Sequence, residues 1–83
     1  MTTKYEIGAW FDRGLADPKK PTHMLVVVDG CDHEDYPVFV YPTDKVHEVY
    51  KEYNGPNMQR VMEVYNLRDD KEHQLNEFRP SHF

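Results

Sequence analysis

His23-Met24-Leu25-Val26-Val27-Val28-Asp29 is the stretch on which the fold turns. Three consecutive β-branched valines favour a strand, and the run from Met24 to Val28 has no polar alternation. Such a run reads as a strand buried on both faces. Five apolar residues also fall far short of the roughly 18–20 needed to span a bilayer. Gly30 to Asp35 is a polar connection, and Tyr36 to Tyr41 is a second β-branched and aromatic run closed by Pro42. The gap between the two runs is too short for a helical crossover, so they are expected to pair as an antiparallel hairpin.

On the N-terminal side, Thr3-Lys4-Tyr5-Glu6 fits the S/T-x-x-E capping box. Ile7, Trp10, Phe11 and Leu15 then recur at one helical face, which predicts a helix over 4–16. Asp17-Pro18-Lys19-Lys20-Pro21 ends it, because residues preceding proline disfavour helix. On the C-terminal side, Thr43 suits a helix cap with Asp44 in the first turn. Val46, Val49, Tyr50 and Tyr53 share the face that follows, and Asn54-Gly55 supplies a stop. Pro56 is placed to open another helix, whose stripe is Met58, Val61, Met62 and Tyr65. A third helical segment is expected from Asp69 to about Phe78, carrying Leu75 and Phe78. The expected order is α-β-β-α-α: one α+β domain over residues 1–83, with the hairpin packed on helices. A two-stranded hairpin is marginal alone and leaves open edges, so a homodimer pairing those edges into four strands is expected.

The 83 residues include 10 Lys and Arg against 15 Asp and Glu, a net charge of −5. The basic residues are scattered from Lys4 to Arg79 and form no stripe, which argues against nucleic-acid binding. Eleven aromatics, six Tyr, four Phe and one Trp, supply the large side chains that so small a core needs. Cys31 is the only cysteine, which excludes an internal disulfide and a Cys-rich zinc site. The opening Met-Thr-Thr-Lys-Tyr-Glu has no apolar signal region. A reducing, cytoplasmic setting without membrane attachment is the expectation.

Chemistry-bearing residues concentrate in the hairpin connection. Asp29, Asp32, His33, Glu34 and Asp35 put four carboxylates and an imidazole after a buried strand, a pattern that can hold a divalent metal and activate water. No other cofactor is suggested. The spacing matches neither an EF-hand nor H-E-x-x-H, and Asp and Gly also serve as ordinary turn residues. Cys31 lies two residues from His33, close enough for thiolate activation, but no base and oxyanion donors are identifiable around it. The remaining histidines, His23, His47, His73 and His82, form no i, i+4 pair and read as structural or solvated.

The tyrosines with Trp10 suggest an aromatic cleft for a small ligand or nucleotide. Its candidate residues are Trp10, Arg13, Tyr36 and Arg60, the arginines serving any phosphate. Tyrosines at helical spacing serve equally as core edges with wet hydroxyls.

Four segments stand out together: Trp10-Phe11-Asp12-Arg13-Gly14, Thr22 to Asp29, Glu34 to Val38, and Met58 to Tyr65. With them the chain resembles small proteins of unknown function encoded by bacteriophages, prophages and mobile elements. That resemblance implies an accessory gene product acting in the cytoplasm of a bacterial host cell, and it carries over no catalytic residue. Three functions are thus expected, in order. The first is a non-enzymatic module that binds a host or phage protein. The second is a small-ligand or nucleotide binder. The third is a metal-dependent hydrolase built on the acidic loop.

Overall fold

The computed structural model describes residues 3–83. Its elements in chain order are α1 (Lys4–Ala16), β1 (His23–Asp29), β2 (Asp35–Val40), α2 (Val46–Tyr53), β3 (Gln59–Asn66) and α3 (Lys71–Leu75), with a 3-10 turn at Pro56–Met58 before β3. The fold is α+β, as the sequence pattern indicates, but the order is α-β-β-α-β-α. The segment expected to form a helix after Pro56 is a strand.

Each helix is set by local chemistry. Thr3 caps α1, its hydroxyl accepting the Glu6 N–H at 3.2 Å, as the capping box requires. Asp70 caps α3 in the same way, accepting the His73 N–H at 3.0 Å. Thr43 does not cap α2. That helix starts at Val46 after Lys45, whose side chain makes no capping bond. The Asp44 carboxylate instead accepts the Tyr41 N–H at 3.3 Å, which holds the turn leaving β2. Leu15, expected on the inner face of α1, is 57% exposed, while Gly14 faces inward. A methyl group on Gly14 would lie 2.7 Å from the Phe39 ring, so the helix approaches the sheet too closely for a larger residue there.

The sheet has the order β2-β1-β3, with β1 antiparallel to both neighbours. His23 to Val27 are all buried, which explains the unbroken apolar run. Alternate residues of β1 serve two cores. Met24 and Val26 pack with Ile7, Phe11, Tyr65 and Leu67 beneath α1. Leu25 and Val27 pack with Val40 and Val64 beneath α2, which contributes Val46, Val49, Tyr50 and Tyr53. Phe11 meets Tyr65 edge-on, ring centroids 6.3 Å apart. Burying each such aliphatic side chain contributes about 1.5–3 kcal/mol.

β3 carries a bulge. Val26 faces Glu63 while Val27 faces Val61, so Met62 is the extra residue. Its outer edge is covered in part by the chain's last residues. Val64 donates to Pro80 O at 2.8 Å and accepts from His82 N–H at 3.0 Å, a parallel bridge to Ser81. Beyond it the buried Gln74 side chain imitates a strand. Its oxygen accepts the Asn66 N–H at 2.8 Å and its amide donates to Asn66 O at 2.9 Å and Asp70 O at 3.1 Å.

The expected joining of two hairpins into four strands rests on a two-stranded sheet, and one chain already supplies three. The remaining open edge, β2, is blunted. Asp29 donates to Glu34 O at 2.9 Å, which makes that pair a hydrogen-bonded rung. Rungs alternate, so Val26–Pro37 is an unbonded rung and the donorless nitrogen of Pro37 faces outward. No helix among the described residues is long and apolar enough to cross a membrane.

Two outcomes follow from these contacts. Gln74→Leu keeps the side-chain bulk but strips both Asn66 groups of their partner, and should destabilise the fold by about 1–3 kcal/mol in urea unfolding. Pro37→Val restores the missing edge donor, and should raise the mass seen by light scattering at concentrations where the parent's is constant.

Candidate binding groove

The acidic connection between β1 and β2 is a self-satisfied turn. Asp29 Oδ1 accepts the Cys31 N–H at 2.8 Å, Asp32 Oδ1 accepts the Glu34 N–H at 3.1 Å, and His33 N–H donates to Asp29 O at 2.8 Å. His33 takes a left-handed backbone conformation with φ 60° to complete it. Two of the four carboxylates are thus engaged in folding the loop, and Glu34 is exposed. Among the described residues, no group of three or more His, Cys, Asp or Glu side chains is arranged to hold a metal ion. Cys31 is exposed, with Sγ 3.7 Å from Met58 Sδ.

The residues expected to line an aromatic cleft are separated by the sheet. Trp10 and Arg13 belong to α1, Trp10 half-buried against the first core and the Arg13 guanidinium 5.6 Å from the Phe39 ring centre. Tyr36 faces Val27 and packs on the opposite side with the α2 cluster, where Gln59 Nε2 donates to its hydroxyl. Burial pushes the Tyr36 hydroxyl pKa up. Arg60 is exposed on β3 beside a separate cavity of about 480 Å³ bordered by Gly30 and Met58. The four do not converge on one ligand.

A different site is assembled on the α1 side of the sheet. α1 covers Met24 and Val26 through Ile7 and Phe11, and α3 is only five residues long. Val28, next on the same face, is left half-exposed. Above it lies an open groove of about 680 Å³ with Val26 and Val28 as its floor and Met62, Tyr65, Leu75 and Phe78 in its walls. Phe78 is 90% exposed and Met62 36%. Phe78 thus lies outside the core and beyond the third helix, which was expected to run from Asp69 to about Phe78 but spans only Lys71–Leu75.

Two carboxylates flank the apolar floor. Asp35 faces Val28 across the β1–β2 ladder and Glu63 faces Val26 across the β1–β3 ladder. His33 also lines the groove, and Asp35 and His33 are the expected metal residues that reach it. Glu63 is half-buried, and the Tyr65 hydroxyl donates to its Oε1 at 3.2 Å. Burial holds the Glu63 carboxyl above its ordinary value of 4.5; Tyr65's hydrogen bond and Arg79 oppose the shift, and Asp35 adds to it. The Tyr65 hydroxyl is itself pushed well up, first by burial and then by the Glu63 charge. Arg79 lies over the Phe78 ring at 5.4 Å, its backbone left-handed with φ 52°.

Glu63 escaped the sequence reading because Met58, Val61, Met62 and Tyr65 look helical, which sets Glu63 on an outer face. The signal available was the β-branched pair Val61 and Val64 after a Gly-Pro-Asn turn.

The raised carboxyl pKa has a definite consequence for stability. Folding favours the protonated form, so the contribution is fully present below 4.5 and is lost as pH rises through the folded-state value. Glu63→Gln should therefore match the parent's melting temperature in acid and exceed it increasingly toward neutral pH, read by paired thermal melts. Compared with known proteins, the chain matches no family model, no curated protein and no solved structure.

Proposed function

We propose that this chain is a non-enzymatic module that binds another protein through the groove over Val26 and Val28. The observation that carries the reading is Phe78, a large aromatic 90% exposed beside an apolar groove with a charged rim. Exposed apolar surface of this kind marks interaction sites. Aromatic side chains, Phe among them, are enriched in the buried centres of protein interfaces. The proposed setting is the cytoplasm of a bacterial cell, with a host or phage protein as the partner. Pro37 favours a separate protein over a second copy paired through β2.

A small molecule is the second reading, favoured by volume: about 680 Å³ lies within the common range of ligand sites. The carboxylates of Asp35 and Glu63 disfavour a nucleotide's phosphates there, so an apolar or cationic molecule fits better. The metal-dependent hydrolase has less support, because Asp29 and Asp32 are committed to the turn.

Site-specific photocrosslinking tests the module. A benzoylphenylalanine in place of Phe78 should trap a discrete protein in bacterial cells, while the same group at Lys51, exposed on α2, should not. Equal trapping from both positions, or none from position 78, would count against the groove as the binding face.

A further inference from the structure

Asp35 and Glu63 rise from β2 and β3, the two strands that flank β1, on either side of an apolar floor, and both line the groove. Among the described residues the ion pairs are Lys71 with Asp12 and the histidines 73 and 82 with Glu77. Glu77, also in the groove lining, is thereby paired, whereas among the described residues neither Asp35 nor Glu63 has a cation within pairing distance. Two cations share the lining without closing on either carboxylate: Arg79 lies over the Phe78 ring and acts on Glu63 only from beyond pairing distance, and Lys4 Nζ is 3.5 Å from Asn76 Oδ1. Two unpaired like charges beside a desolvating surface are unfavourable unless something positive completes them.

We infer that the groove recognises an arginine side chain presented by a peptide segment of the partner, its stem lying on Val26 and Val28 and its guanidinium reaching Asp35 and Glu63. The inference rests on the protein-binding reading and gives that partner a chemistry. Arginine fits both halves of the site. Its three methylenes match the apolar floor, and its planar head bonds carboxylates through paired donors and stacks on aromatic rings such as Phe78. A purely apolar side chain would fill the floor while burying the carboxylates further without a partner, which the charge arrangement penalises. An acidic one would meet two like charges.

The probe is a leucine–arginine–leucine tripeptide blocked at both ends, compared with the same peptide carrying citrulline, the neutral isostere of arginine. Backbone amide shifts of the isotope-labelled chain give both affinity and location. The arginine peptide should move the amides of Val28, Asp35 and Glu63, and the citrulline peptide should bind about tenfold more weakly or worse. Glu63→Gln together with Asp35→Asn should abolish the difference between the two. Added salt should weaken only the arginine peptide.

Equal affinity for the two peptides would overturn the arginine inference and leave the groove standing as a protein-binding surface. Shifts confined to another face, or no shift at millimolar peptide, would also overturn it. The photocrosslink from position 78 judges the binding module separately. Should the double variant fail to fold, the citrulline comparison on the unaltered chain still decides.

Discussion

Everything in this fold hangs from β1, whose side chains are buried on both faces. An 83-residue chain has little surface to hide, and a central strand inside two apolar layers is an economical way to hide it. The constraint then propagates. Both neighbours must be strands, since the backbone groups of β1 are buried and need partners on each side. Each sheet face must be covered, so α1 with α3 takes one and α2 the other. The short chain fulfils the second demand incompletely, and the uncovered remainder is the groove.

That remainder differs in character from the core beside it. Val26 and Val28 are neighbours on one face of one strand, yet the first is buried and the second half-exposed. The difference arises because α1 is capped at Thr3 and first turns an apolar residue inward at Ile7, while α3 ends at Leu75. Glu63 sits at this boundary, where burial works against its charge. A carboxylate kept at such a boundary opposes stability, a pattern common to sites shaped by recognition rather than by folding.

Much of the architecture was legible from the chain. The capping box at Thr3, the unbroken run of β1, the short polar gap before β2 and the apolar face of α2 each read correctly, because local pattern and tertiary role agree there. β3 was not legible, and the bulge is the physical reason. It puts Val61 and Val64 on the same sheet face although they are three apart, so a strand acquires the spacing of a helix. The same spacing hid Glu63, but the other site residues were obscured for different reasons. Trp10 and Arg13 are compatible with Tyr36 by residue type, but alternation along β2 sends Tyr36 to the α2 side, and in the acidic loop Asp29 and Asp32 are bonded to their own backbone. Asp35 and His33 were singled out for metal and instead line the groove.

The extra residue in β3 also governs how the length of this chain can drift. Remove Met62 and the ladder becomes regular: Val61 and Val64 still face α2, and Glu63 and Tyr65 still face α1. Remove Val64 instead and, with Val61 and Tyr65 keeping their partners, Glu63 falls opposite Leu25 and its carboxylate is turned into the α2-side core. One position in the strand is therefore expendable to the sheet, and that position is a wall of the groove. Loss of a codon there would spare the scaffold and erase part of the surface it presents.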